Sequence, residues 1–515
     1  MYLSKNILPS PLSIIWVLFI FSCSKNIKSE EVFVAQVGDK VITVDDFRYN
    51  YEFGFSHLKK GPDRRRSYLE YMIKEKILAC AGYRLGLNEA DRVQRLEKEL
   101  LEELLVEEFF KSEVHNKIRI TDDEIRDAIT KSKVEWKLRY WVEPNFDYAN
   151  RVCQAMRKHG YSAVVDEILS SNPDGILKSE DFETDYLTFL DVPLELLTAI
   201  KDLPLGEISD PIKMNEIYFI FQIVDIRRES LLEDEYQTQA DRYRNILFYR
   251  KVKNDAQSFV ADFMTPKNVV TNGNAFRKLA DALYEWQSND EKSTKEFIEV
   301  IQSTNDVESA IFHLKQYLSK TLVVFEGGQW TISDFLTRFD TSSIKAYSKS
   351  KYDFRADLNQ AIAIKVRNYF FITEARARKF DQNPSVQDQL QKWRDKWVYK
   401  ETQSHYTSHL KITEDHAREY FLRNKDKYKI RWEDNPTFEK FALQAKRDAY
   451  IDSAQVILTH NIDSLRAVFP VVINQAILDT IEVLGSPKSR WISVQVFKQS
   501  SNRMSRPIVD PAWGF

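Results

Sequence analysis

The side chains in this 515-residue sequence best suited to hold a metal or attack a substrate are eight histidines and three cysteines. Their spacing argues against both roles. His405 and His409 stand four apart on a helical stretch, but no Glu follows His405, so the zinc-protease pattern is missing. With His416 they read as surface helix residues. Gly327-Gly328 lacks a following Lys-Ser or Lys-Thr and reads as a hairpin turn, not a phosphate loop. The Glu-rich run from Glu97 to Glu108 has apolar residues interleaved, as on the solvated face of a helix. Cys80, in Ile77-Leu78-Ala79-Cys80-Ala81, and Cys153, near Ala149, Val152 and Met156, fall in helical patterns and read as small core residues. No cofactor and no metal are therefore expected. Lys plus Arg number 74 and Asp plus Glu 77, a near balance that gives no reason for a nucleic-acid partner. Aromatics are plentiful, with 32 Phe, 24 Tyr and 10 Trp. They bury large areas with few rotatable bonds, so they suit recognition of apolar segments as well as helical cores.

The third cysteine belongs to the N-terminus. Lys5 precedes an apolar run from Leu12 to Phe21, about half the length a membrane-spanning helix needs, and Ser22-Cys23 follows. A basic start, a short apolar stretch and a small residue before the cut read as an export signal. The stretch Ile20-Phe21-Ser22-Cys23 resembles a bacterial lipoprotein signal. That resemblance implies cleavage before Cys23 and a lipid anchor on it, with Ser24 favouring the outer membrane and its periplasmic face. Lys25 to Glu31 would be a polar tether.

At 43% hydrophobic and 29% charged, the chain has the make-up of a folded body, and its length implies two to four domains. Val32 to Val37 reads as a strand, Gly38-Asp39 as a turn and Lys40 to Ile42 as the return. Thr43 then caps a helix, with Asp46 three residues on completing a capping box. Apolar periodicity predicts helices over about Arg64 to Leu85 and Glu89 to Lys117, and Thr121 with Glu124 caps another. The same order returns late in the chain. Glu326 to Phe335 matches Gly38 to Phe47 at an offset of 288, keeping Thr331, Asp334 and Phe335. A helix over about Leu358 to Phe380 follows, then one with Val386, Leu390, Trp393 and Trp397 on one face. Lys411 to Asp415 matches Arg119 to Asp123 at 292. Two offsets one helical turn apart point to an internal duplication of a helical module. Between the copies, residues 134–229 read as a compact α/β segment and 233–322 as charged helices. Ser489 to Phe497 alternates like a strand.

Val37-Gly38-Asp39-Lys40-Val41-Ile42-Thr43-Val44-Asp45-Asp46-Phe47 resembles the opening of the N-terminal chaperone domain of SurA- and PrsA-like extracytoplasmic foldases. Gly206-Glu207-Ile208-Ser209-Asp210-Pro211-Ile212, followed by Tyr218 to Asp225, resembles the closing part of a parvulin domain. The resemblance covers roughly residues 32–260, and the copy at 321–432 shares it more weakly. It implies a multidomain, mainly α-helical set of chaperone modules with an inserted α+β parvulin-like domain. The expected parts are a signal at 1–23, a helical chaperone domain at 24–133 and a parvulin-like domain at 134–229. A helical linker or domain at 230–322, a second helical module at 323–432 and a mixed segment at 433–515 complete the chain.

Parvulins carry two pocket histidines, and neither is present. The first position falls at Arg139, or Tyr140 one residue on, in the strand Val134 to Val142. The second would follow a Gly near Ile217-Tyr218-Phe219. His159, the one histidine between Val134 and Asp225, sits at a helix end. Arg139 and Phe219 thus stand where the pocket groups would be, and Arg139 must find a partner because it cannot lose its charge. The resemblance, with both histidines missing, implies a chaperone that binds unfolded or partly folded envelope proteins. Phe109, Phe110, Trp393 and Trp397 are its candidate client contacts. Two other accounts stay open at this point: an active peptidyl-prolyl isomerase, and a structural lipoprotein with one fixed partner.

Overall fold

The computed structural model describes residues 33–170, 177–214, 217–289, 296–344, 350–429, 435–481, 504 and 506–514. Cys23, with the export signal, and the strand expected over Ser489 to Phe497 lie outside them. The chain is mainly helical, with three small three-stranded sheets among the described residues. It forms two compact units. One takes Met1–Leu105 with Lys379–Phe515, the other Val106–Arg378. The division falls inside the helix Asp91–Glu113 and again just after the helix Lys351–Ala377. Neither unit is therefore a continuous stretch of one expected module.

In the first unit, β1 (Phe33–Val37) and β2 (Lys40–Thr43) form the expected hairpin, with Gly38 at φ +58° in the turn. The Thr43 hydroxyl accepts from the Asp46 N–H at 3.1 Å and the Asp46 carboxylate accepts from the Thr43 N–H at 3.4 Å, so the capping box starts the helix Val44–Phe53. The helix Arg64–Arg84 lies against the helix Pro384–Thr407, from the stretch expected to be the second copy. Gly82 permits that approach: a Cβ there would stand 2.1 Å from Thr402 Oγ1 and 2.5 Å from Val398 Cγ1. A third strand, β9 (Val471–Ile473), pairs antiparallel with β1. It arrives after the 29-residue helix Phe438–Arg466 and leads into the helix Gln475–Thr480. Val34, Phe47, Ile73, Ile77, Tyr399, Leu458 and Ile462 share the core beneath this sheet.

The second unit repeats that sheet plan. The hairpin of β7 (Thr321–Phe325) and β8 (Gly328–Thr331) turns at Gly327 with φ +82° and runs into the helix Ile332–Leu336 through the Thr331–Asp334 capping box. A third strand, β6 (Val270–Thr271), pairs antiparallel with β7. Like β9, it follows a long helix, Ala240–Met264, and precedes another, Gly273–Gln287. Hairpin, capping box, third strand and its flanking helices thus occur twice, which supports the duplication read from the offset of 288.

The α/β segment holds the remaining sheet, in the order β3-β5-β4, with β3 at Val134–Glu143, β4 at Ile212–Met214 and β5 at Ile217–Arg228. The helices Phe146–His159 and Tyr161–Ser170 cover one face over Val152, Met156, Val165 and Ile220. Ile125, Trp136, Leu138, Ile200, Phe221 and Ile223 fill the other.

Candidate functional site

Two places could carry function, and the α/β segment is the first. Arg139 lies on β3 opposite Gln222 of β5, and Phe219 lies opposite Val142. Side chains alternate along a strand, and directly opposed residues share a face. Phe219 therefore shares the face of Val142 and Tyr140, while Arg139 shares that of Trp141. The two expected pocket residues lie on opposite faces of the sheet and do not form one pocket. Phe219 stacks on Phe221, ring centroids 5.8 Å apart. Arg139 donates from Nε to Glu183 Oε2 at 2.9 Å, and Lys137 Nζ reaches Glu183 Oε1 at 2.5 Å. These two cations, Lys137 first, hold the Glu183 carboxyl below the usual carboxylate range. Glu183 reaches them through an isolated bridge to Arg139, 44 residues on, with no local signal in the sequence. Tyr186 donates to Asp225 and stacks under Arg227, whose guanidinium lies 3.4 Å from the ring centroid. His159 ends its helix, exposed, before Gly160 at φ +90°. Cys153 is buried and donates from Sγ to the Ser209 carbonyl at 3.2 Å. The arrangement pairs its charges with one another.

The candidate client contacts divide. Phe109 is 0% exposed and packs among Phe259, Phe263 and Phe371, with centroids 5.0 to 5.9 Å away. Phe110 is buried as well. Both are core side chains of the second unit, a correction to the expectation that they face a client. Their helical spacing is the same for a core stripe and for an exposed one. Trp393 and Trp397 stack at 5.9 Å, half-buried against Leu100, Leu104, Val386 and Leu390 in the first unit. They keep some exposure, yet most of each indole serves helix packing.

The second place was not foreseen, and it lies in the first unit. The helix Pro384–Thr407 carries Asp395, only 7% exposed, as the acceptor for four donors. Lys40 Nζ approaches it at 3.0 Å, Lys76 Nζ at 2.9 Å, the Tyr83 hydroxyl at 2.9 Å and Gln391 Nε2 at 2.7 Å. Burial pushes the Asp395 carboxyl up, but Lys76 and Lys40 outweigh it and leave the group below the usual carboxylate range. Nearby, Lys396 Nζ meets both Glu75 oxygens at 2.6 and 2.8 Å, and Lys392 Nζ meets Asp46 at 2.8 Å. Burial lowers the Lys396 ammonium in spite of Glu75.

Beside this charged wall runs a groove, and residues 506–514 lie in it. The Asn50 side-chain amide accepts from the Val509 N–H at 3.0 Å and donates to the Pro507 carbonyl at 3.3 Å. Glu75 Oε1 accepts from the Asp510 N–H at 2.7 Å. His57 Nε2 stands 2.9 Å from the Pro511 carbonyl, and the Gln455 amide donates to the Ala512 carbonyl. Arg506 pairs with Asp46 at 3.4 Å, and Asp510 takes Lys400 and the Tyr399 hydroxyl. Trp513, 6% exposed, stacks on Tyr399 with Lys74 over its ring. A cavity of about 80 Å³ remains alongside, bounded by Val41, Met72, Lys392 and Ile508 among others.

No family model matches the chain, and no curated protein matches it in sequence. It is similar to solved structures of foldases and chaperones. The peptidylprolyl isomerase PrsA of Bacillus anthracis shares 12% identity, with 37% of this chain and 96% of that one covered and a TM-score of 0.22. The foldase PrsA of Streptococcus pneumoniae shares 15%, over 42% and 86%, with a TM-score of 0.22. A structure reported for the SurA-like chaperones of Campylobacter jejuni shares 13%, over 45% and 96%, with a TM-score of 0.19.

Proposed function

We propose that this chain is a chaperone that binds extended stretches of unfolded polypeptide outside the cytoplasm. In this reading the parvulin-like segment serves as a structural wall without isomerase chemistry. One observation carries it. The first unit holds residues 506–514, which run without regular structure into a 3-10 turn at Pro511–Gly514, in a groove and meets their main-chain groups through Asn50, Glu75, His57 and Gln455. Main-chain recognition is what a binder of many sequences needs, since every polypeptide offers the same N–H and C=O groups.

The arrangement of the α/β segment supports the absence of catalysis in this reading. Turning an X–Pro bond requires lowering a barrier of about 20 kcal/mol by polar groups aimed at the carbonyl and nitrogen. Here Arg139 and Lys137 are tied to Glu183, and Phe219 lies across the sheet from Arg139. The lipoprotein-like N-terminus adds a lipid anchor on Cys23, the outer membrane and the periplasmic face to the reading. Among the described residues no helix is long and apolar enough to cross a membrane.

Binding of a permanently unfolded probe, reduced and carboxymethylated lactalbumin, tests the reading by fluorescence anisotropy. The same preparation is run in an X–Pro peptide isomerisation assay. Saturable binding with an isomerisation rate equal to the uncatalysed one is the expected pair. A catalysed rate would make the chain an isomerase, and absence of binding would end the chaperone reading. Crosslinking in intact cells separates a general binder, with many unfolded envelope clients, from a lipoprotein with one stoichiometric partner.

A further inference from the structure

We infer that the groove holding residues 506–514 is the client site itself and that this segment is an internal competitor. A segment of an unfolded chain bearing an aromatic side chain displaces it. This rests on the chaperone reading and specifies where and by what chemistry the client binds.

Three features make the segment exchangeable although Val509 and Trp513 reach the core. First, it joins no sheet: side chains of the groove meet its main chain from Pro507 to the Ala512 carbonyl, with Asn50 both accepting from Val509 and donating to Pro507, while the Ala512 and Trp513 N–H groups bond back to Asp510. Residues 507–510 run without regular structure and Pro511–Gly514 close a 3-10 turn, while Pro507 and Pro511 deprive the segment of two ladder donors. The contacts to the main chain do not depend on which residues occupy the segment, so another chain can make them. Second, its side-chain contacts are of a general kind. Val509 and Trp513 enter the core of the unit, Trp513 on Tyr399 under Lys74, and two charges of opposite sign find partners, Arg506 at Asp46 and Asp510 at Lys400. Third, the groove walls stand on contacts the segment does not make. The helix Arg64–Arg84 is joined to the helix Pro384–Thr407 at Gly82 and through Asp395. The cavity left beside Ile508 shows that the segment fills its groove incompletely.

The ligand class follows from these contacts. It is a peptide that turns at an aromatic residue for the Tyr399–Lys74 seat, as the segment does at Trp513, and an acidic residue three positions before it strengthens binding through Lys400.

The test uses the full chain carrying Gln455→Cys and Ala512→Cys, whose native partners meet in a hydrogen bond. A disulfide there locks the segment in place. The lactalbumin probe is titrated against the oxidised and the reduced protein. Affinity at least tenfold weaker when oxidised, restored on reduction, is the expected result. Equal affinity in both states overturns the inference and leaves the chaperone reading standing. A wild-type chain that fails to bind the probe removes both. In a second measurement, a synthetic peptide with the sequence of residues 504–515 competes for the probe on the wild-type chain. Displacement is expected, with at least a tenfold loss for the peptide whose tryptophan is replaced by alanine. Failure of the unaltered peptide to compete, or equal competition by both, also overturns the inference.

Discussion

Replacing Asp395 with alanine strips the first unit of the acceptor on which Lys40, Lys76, Tyr83 and Gln391 converge. Breaking a buried ion pair from one side costs roughly 3–5 kcal/mol, because the remaining charge stays desolvated. Two ammonium groups are left here, but their side chains keep 19% and 20% exposure and can swing toward water. The lower end, about 3 kcal/mol, is therefore expected. With a urea dependence of about 3 kcal/mol per M, the midpoint falls by about 1 M. Tryptophan fluorescence during urea unfolding reads it, since Trp393, Trp397 and Trp513 all lie in this unit. Asp395→Asn keeps an acceptor for the tyrosine and loses less. The dependence on pH has a definite sign. Asp395 titrates below its ordinary value of 3.8 in the folded chain, so its stabilisation is complete above that value and fades as pH falls through the folded one. The gap between wild type and Asp395→Ala should be full at about pH 7 and shrink below about pH 3.8. A midpoint shift under about 0.2 M, or a gap unchanged on acidification, would refute the argument that this carboxylate carries the charged wall.

Gly82→Ala forces a methyl against Thr402 and Val398 and should destabilise the first unit by about 1–3 kcal/mol, seen as a lower urea midpoint. Phe109→Ala should cost about 3–5 kcal/mol in the second unit, with binding of unfolded probe unchanged where the chain stays folded. Loss of probe binding by that folded variant would return Phe109 to the client surface. Glu183→Gln should leave the isomerisation rate at background and lower stability by about 1 kcal/mol, because Arg139 and Lys137 lose their shared acceptor. A rate above background in this variant would show that the ion pair had been masking a working pocket.

Local signals carried the elements they could reach. Each of the pairs Thr43–Asp46, Thr121–Glu124 and Thr331–Asp334 forms its capping box, and the strands expected at Val134 and Ile217 are present. The repeated Thr-x-x-Asp-Phe was enough to mark the hairpin and capping box that occur twice, since hairpin and cap are close in the chain. What escaped depends on contacts far apart in the chain. β9 joins β1 from more than 430 residues away, and three short apolar residues give no sign of their destination. Asp395 stands in a helix rich in charge and tryptophan, where an acid reads as solvated. Its burial comes from Lys40 and Lys76 on other elements. The groove occupant, residues 506–514, has no periodicity to read. For the α/β segment, spacing placed Arg139 and Phe219 in their strands. The bulge between Lys137 and Leu138 and the register with β5 decided which face each would take.

The most direct test of polypeptide binding is light scattering as a chemically unfolded test protein is diluted into buffer with the chain present. Suppression of aggregation that saturates near one chain per client, with no change in isomerisation rate, is the expected result. Scattering that is undiminished at a tenfold excess of chain would contradict the account.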